Sequence, residues 1–345
     1  VERIAMSARL LVQALCDPAS VGDLTPDRWT ELFAAARAER LIGTLAHRLN
    51  GLHMPERAAL ILADARADAQ GERRQALWEA DRAAAALAGT GAALILLKGT
   101  AYAAAGLTAG TGRSIGDLDI LVPRDRLDVV EAALLGAGWE WVKPDPYDDA
   151  YYRRWMHELP PLIHRERDRM IDVHHTILPL TARPRPDAAA MIADSIVLED
   201  GLHILSPTDM ICHAAAHMLA DGGLEGGLRN LWDIHCLLGE FGEADGFWAR
   251  LDARAAVHRL TSPVRRAARL ANRIYGTVIP EGWRERASGD ALFRARLFSR
   301  DGWGRETRWL LGQGFYVRSH LLRMPPLMLA RHLWTKWRNG YRQVG

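Results

Sequence analysis

Through residues 1 to about 90, apolar positions recur three and four apart, as at Leu32, Ala35, Ala36 and Leu41. That is the period of one buried helical face. Residues 72–88 predict one long helix, which Gly89 stops. The pattern then changes. Residues 93–97 form a short unbroken apolar run and predict a buried strand. Residues 100–106 predict a short helix. Residues 107–116, rich in Gly and Thr, predict a loop, and 117–122 a second strand. Residues 124–135 have helical periodicity, with Pro123 at the start and Gly136 and Gly138 at the end. A strand is expected at 139–142 and a turn-rich loop at 144–149. Two apolar runs, 162–164 and 170–174, flank a charged segment, which is the layout of a β-hairpin. After Pro184 and Pro186 helices return. Ser206, Pro207, Thr208 and Asp209 form a capping box that opens one of them, running to about 220, and another follows at 228–238. The expected fold class is α+β. A small mixed-sheet core at 90–182 lies between an N-terminal helical region, 1–89, and a C-terminal helical domain, 183–345, that ends in a basic aromatic tail.

Composition changes this picture little. A chain of 345 residues exceeds one small core, and 49% hydrophobic and 25% charged residues are ordinary for a globular protein. A net charge of +2 points to no partner by bulk electrostatics. Lysine occurs at 98, 143 and 336 alone, every other basic position being Arg, so Lys98 stands out against the bias. Cys16, Cys212 and Cys236 are odd in number and far apart, which argues against a disulfide framework and a cysteine-rich zinc site. The N-terminus carries no charged-then-apolar leader pattern. The longest apolar stretch, 83–97, is interrupted by Gly89, Thr90 and Gly91 and is too short to span a bilayer. The expected location is cytoplasmic.

The chemistry concentrates in residues 112–122. Asp117 and Asp119 stand at i and i+2 at the mouth of an apolar run, so in a strand both point the same way. Two acids side by side repel each other unless a cation lies between them. Mg²⁺ takes oxygen ligands of this kind and shares its shell with substrate phosphates. In the hairpin, Asp172 and His174 share a face opposite to Ile171 and Val173. An Asp-x-Asp strand beside a strand with a lone acid outlines the cage that two-metal phosphoryl chemistry uses.

These residues resemble a known superfamily. Leu97-Lys98-Gly99, the run from Arg113 to Val122, and Ile171-Asp172-Val173-His174 are similar to the polymerase-β-like nucleotidyltransferases. The bacterial branch called "uncharacterised nucleotidyltransferase" is the nearest in pattern. Pro207-Thr208-Asp209, His213, His217 and Leu231-Trp232-Asp233-Ile234 are similar to that branch's helical C-terminal part, so the resemblance covers roughly residues 75–240. It implies transfer of a nucleoside monophosphate from an NTP, ATP by default, to an acceptor, with release of pyrophosphate. Asp117, Asp119 and Asp172 would be catalytic and would bind Mg²⁺, or Mn²⁺ in its place. Asp172 would also assist the acceptor. Lys98, Gly99, Thr100, Arg113 and Ser114 would bind the nucleotide. Gly99 falls where the superfamily has a Gly-Gly or Gly-Ser turn whose N–H groups approach the triphosphate. This chain has Gly99-Thr100 there, and a longer gap to Asp117 than the compact members.

Other signals admit two readings. His174 suits a donor to one of the carboxylates, or a structural histidine. His213 and His217 lie four apart on a helix and would form a second metal site with Asp209, Asp233 and His235, or else bond between packed helices or face the cleft. The tail carries Arg305, Arg308, Arg318, Arg323, Arg331, Lys336, Arg338 and Arg342 with Trp303, Trp309, Phe315, Tyr316, Trp334, Trp337 and Tyr341 interleaved. It suits RNA, an anionic surface, or a docked helical layer with solvated arginines. The acceptor is a small molecule, peptide or protein on the favoured reading. A tRNA acceptor, and a nucleotide-binding module without turnover, are the alternatives.

Overall fold

A computed structural model of the protein describes residues 6–324 apart from 144, 222 and 225, and beyond them 326, 329, 330 and 334. The helical period of the first 90 residues becomes α1 (Met6–Cys16), α2 (Pro26–Ala38), α3 (Ile42–Arg48) and α4 (Glu56–Leu87). Thr25 caps α2 by accepting from the Arg28 N–H, and Pro26 occupies the first turn, where no N–H is needed. α4 begins at Glu56, well before the expected 72. The Ala-, Leu- and Arg-rich stretch ahead of Gly71 has strong helix propensity, and one interior Gly does not break it.

The sheet follows. Its elements are β1 (Ile95–Leu96), α5 (Lys98–Ala104), β2 (Leu118–Leu121), α6 (Leu127–Gly136), β3 (Trp139–Trp141), α7 (Pro146–Trp155), β4 (Leu162–His164), β5 (Met170–His174), α8 (Ala188–Ala193), β6 (Ile196–Val197) and β7 (His203–Ile204). Among the described residues the seven strands run in the order β3-β4-β5-β2-β1-β7-β6. β2 is parallel to β5 and antiparallel to β1, and β4–β5 is the expected hairpin. The fold is therefore α+β, with helices flanking a mixed sheet.

Two elements differ from the expectation. The turn-rich loop at 144–149 is the start of α7. Pro146 suits a first helical turn, and Arg153 reaches back one turn to Asp149 at 2.8 Å. The sheet also continues past residue 182, because the short β6–β7 hairpin adds β7 in parallel beside β1.

The C-terminal helices are α9 (Pro207–Ala216), α10 (Gly227–Phe241), α11 (Phe247–Val257), α12 (Thr261–Tyr275), α13 (Asp290–Leu297) and α14 (Trp309–Arg323). The capping box operates as expected, with Ser206 Oγ accepting from the Asp209 N–H at 3.3 Å. α9 ends in a π-helical turn, His217–Asp221, a distortion that recurs at functional sites. Leu11 and Leu15 of α1, Ile120 of β2 and Leu231 of α10 are all fully buried in one connected apolar core. Among the described residues no helix is long and apolar enough to cross a membrane. Of the tail, Phe315 is buried against Phe293, whereas Trp303, Trp309, Tyr316 and Trp334 are exposed. Arg331, Lys336, Trp337, Arg338, Tyr341 and Arg342 lie outside the described residues.

The N-terminal helices hold the loop that precedes the acids. Thr44 of α3 donates to the carbonyls of Thr111 and Gly112, and the Ile115 N–H donates to Glu72 of α4. Backbone meets backbone at Gly43, where a Cβ would lie 2.5 Å from the Gly112 oxygen and 2.9 Å from the Ala69 Cβ. Neither neighbour is a flexible side-chain end, so Gly43→Ala must push the loop away. It should destabilise the protein by roughly 1–3 kcal/mol in urea denaturation, as overpacking does. Unchanged stability would contradict this account of the loop.

Candidate active site

Parallel pairing of β2 and β5 sets Asp119 directly opposite Asp172. Side chains at matched positions of neighbouring strands share a face, so the two carboxylates converge. Asp117 lies at the bend just before β2 and is exposed, rather than in the strand as expected. It is two residues before Asp119 in the chain. Asp119 and Asp172 thus come together by topology, from segments more than fifty residues apart in the chain.

Asp119 is buried and carries two neighbours on one oxygen. Lys98 Nζ donates to its Oδ1 at 2.7 Å, and His174 Nε2–H donates to the same atom at 3.0 Å. Among the described residues neither hydrogen bond falls on Oδ2. Burial alone would raise this carboxyl, but the Lys98 ammonium and His174 outweigh it and hold it far below the usual range. Asp172 goes the other way. Burial, then the Asp119 and Glu158 charges, push it up to about 7. Burial pulls the Lys98 ammonium down, but Asp119, Asp172 and Glu158 more than restore it and leave it raised. Lys98 also has φ +48°, a conformation that costs a non-Gly residue about 1 kcal/mol or more and is found where surroundings impose it. The turn from β1 into α5 thereby aims its ammonium at Asp119.

His174 was expected beside Asp172 and is there, buried, its Nδ1 3.3 Å from Glu158 Oε2. Glu158 and His157 are site residues that the sequence reading missed. They precede β4 in an irregular segment that bridges to His174, and their only signal is a polar pair ahead of Leu159-Pro160-Pro161. The His157 and His174 rings stack with centroids 5.2 Å apart. Burial, and then the charges of His174 and Lys98, hold His157 well below its ordinary pKa.

The remaining expected residues line the neighbourhood in unexpected ways. Arg113 is buried and ion-paired with Asp233 of α10, its Nε 3.1 Å from Oδ2, and its guanidinium lies over the Tyr102 ring at 5.6 Å. Gly99 is where that guanidinium passes, since any Cβ there would collide with Arg113 Nη1. Thr100 is buried, with no hydrogen-bond partner for Oγ1 among the described residues. Ser114 is half-buried, and its carbonyl lies 3.5 Å from Arg113 Nη1.

His213 and His217 face Lys98 and Asp119 from the helical side. Burial, and next the Lys98 charge, lower His213 to about 3 and His217 well below its ordinary value. Their proposed metal partners point elsewhere. Asp209 binds Arg254 and His258, Asp233 binds Arg113, and His235 meets Thr277. The second metal site built on these five residues is therefore overturned. Arg229 of α10 was also missed. It is half-buried, makes no ion pair among the described residues, and is lowered to about 10 by burial and by Arg113.

The donor set suits a hard divalent ion. It is all oxygen, and burial first, then the Asp119 and Glu158 charges, raise Asp172, a burden that a bound cation relieves.

Paired carboxylates on one sheet face are a feature that metal-assisted phosphoryl transfer uses. The chain matches the family described as "Uncharacterised nucleotidyltransferase" over residues 25–276, and it belongs to that family. No curated protein matches it.

Asp172 makes stability depend on pH. Between its unfolded value near 3.8 and its folded value of about 7, the folded chain keeps a proton that the unfolded chain has lost. Stability therefore falls as pH rises through that window. In EDTA, Asp172→Asn should match the native protein near pH 4 and exceed it by roughly 1–3 kcal/mol above pH 7. Equal urea midpoints for the two proteins at pH 8 would contradict the raised Asp172 carboxyl.

Proposed function

We propose that the protein is a magnesium-dependent nucleotidyltransferase that moves a nucleoside monophosphate from an NTP, with ATP the default, to a hydroxyl of a small molecule, peptide or protein. Mn²⁺ is the alternative ion. The observation that carries this reading is the in-register pair Asp119 and Asp172, with Asp117 two residues upstream, in a chain of this family.

Asp117, Asp119 and Asp172 would hold the metal, which neutralises triphosphate charge and polarises the α-phosphorus when bound. Asp172 orients the acceptor hydroxyl and takes its proton. As a carboxylate beside the reacting groups it can accept that proton, and the bound cation lowers it from its metal-free value. The acceptor oxygen forms a bond to the α-phosphorus, the bond from that phosphorus to the bridging oxygen breaks, and pyrophosphate leaves. Lys98 sits where its ammonium reaches phosphate oxygens as well as Asp119. Arg229, without an ion pair among the described residues, adds positive charge on the helical side. Arg113 contributes through position. Tied to Asp233 and lying over Gly99, it braces the β1–α5 turn that presents Lys98. Most of the rate comes from such positioning and preorganised charge.

A tRNA acceptor is the second reading, supported by the exposed rings of Trp303, Trp309 and Tyr316 beside basic residues.

Incubation with α-labelled NTPs, Mg²⁺ and either cell lysate, total tRNA or buffer separates these readings. Label on protein or a small product is expected. Label on RNA would select the second reading, and tight Mg-NTP binding without transfer would reduce the protein to a binding module. Asp117→Asn combined with Asp119→Asn should lower transfer by at least ~10³-fold with an unchanged circular dichroism spectrum. Retained transfer would refute the metal assignment.

A further inference from the structure

We propose that His157, Glu158 and His174 form a second, distinct metal site, for a divalent transition metal of the zinc type, seated beside the carboxylate cage. This goes beyond the nucleotidyl-transfer reading and does not rest on it.

Each of these residues brings one nitrogen or oxygen to within 4.8 Å of the other two. Glu158 Oε2 lies 3.3 Å from His174 Nδ1 and 3.6 Å from His157 Nε2. An ion with tetrahedral bonds of ~2.1 Å sets its ligand atoms about 3.4 Å apart, so the two separations from Glu158 match edges of such a site and the third pair lies within 4.8 Å. Octahedral Mg²⁺ prefers oxygen ligands and water, whereas two imidazoles and one carboxylate suit zinc and its neighbours. A three-ligand set of this kind takes water as its fourth ligand.

The surroundings are arranged as metal-binding histidines require. His174 Nε2–H donates to Asp119 Oδ1 at 3.0 Å, which leaves Nδ1 without a proton, buried, with no hydrogen-bond partner among the described residues and 3.3 Å from Glu158 Oε2. A carboxylate holding the far nitrogen is the usual support of a metal-bound imidazole. The backbone fixes the spacing too. Leu159 N–H donates to the Val173 carbonyl and His175 N–H to the His157 carbonyl, both at 2.9 Å. His157 and Glu158 are thus clamped alongside the end of β5. The ion would lock His174, and through it Asp119, in place. His174 becomes the shared element of two sites, ligating one metal by Nδ1 and positioning a ligand of the other by Nε2–H.

Cobalt(II) is the probe. The full-length protein, stripped with chelator and returned to excess Mg²⁺ to saturate the carboxylate cage, is titrated with CoCl₂ and followed by visible absorption. One equivalent should bind with the intense bands of tetrahedral Co²⁺, and Zn²⁺ should displace it stoichiometrically. Glu158→Gln, which keeps the side-chain shape, and His157→Asn should each weaken binding at least ~100-fold, more than loss of a supporting residue does. Circular dichroism checks that each variant is folded. Asp117→Asn should retain the bands even if it no longer binds Mg-NTP, which separates this site from the nucleotidyl-transfer reading. Absence of tetrahedral bands, their persistence in both folded variants, or their loss in Asp117→Asn would overturn the proposal.

Discussion

Two carboxylates held opposite each other by strand register govern this structure. β2 and β5 are parallel and in phase, so Asp119 and Asp172 cannot move apart without breaking the ladder between them. Their repulsion is met on one side by the Lys98 ammonium and by His174, and on the other by a proton on Asp172 up to about pH 7. That is an unfavourable arrangement to keep for stability alone. Replacing such a cluster with apolar residues often costs nothing, so its presence argues for a use.

The rest of the fold keeps the cluster in place. α3 and α4 clamp the Gly-rich loop ahead of the acids through Thr44, Gly43 and Glu72. α10 reaches across with Asp233 to hold Arg113, which in turn fills the space above Gly99. α9 presents His213 and His217 as neutral groups against the charged face. N-terminal helices, sheet and C-terminal helices therefore meet at one charged centre.

Much of this was legible in the chain. Alternation around Asp119 and Asp172 marked both strands and their faces, and the capping box at Ser206 marked α9, because these signals are local. The Asp-x-Asp spacing placed Asp119 in a strand, as it is, although Asp117 sits at the bend and not within the strand. What was not legible depends on contacts distant in sequence. The resemblance implied a phosphate role for Arg113 beside the acids, and nothing in the sequence showed that its partner is Asp233, 120 residues away. Gly99 matched the superfamily's turn by resemblance, and the structure adds that its missing side chain makes room for that same arginine. His157 and Glu158 lie in no periodic element, and a bridge to β5 alone brings them to the site. α7 was mistaken for a loop because Pro and Asp serve turns and helix starts equally well.

Thermal unfolding with and without Mg²⁺ and a non-hydrolysable ATP analogue addresses the cage most directly, since a ligand that binds the folded state raises its melting temperature. Together the two should raise the midpoint by several degrees, with little change from the analogue in EDTA and none in Asp119→Asn. An equal rise in EDTA, or in that variant, would mean that the paired acids do not hold an ion against a nucleotide.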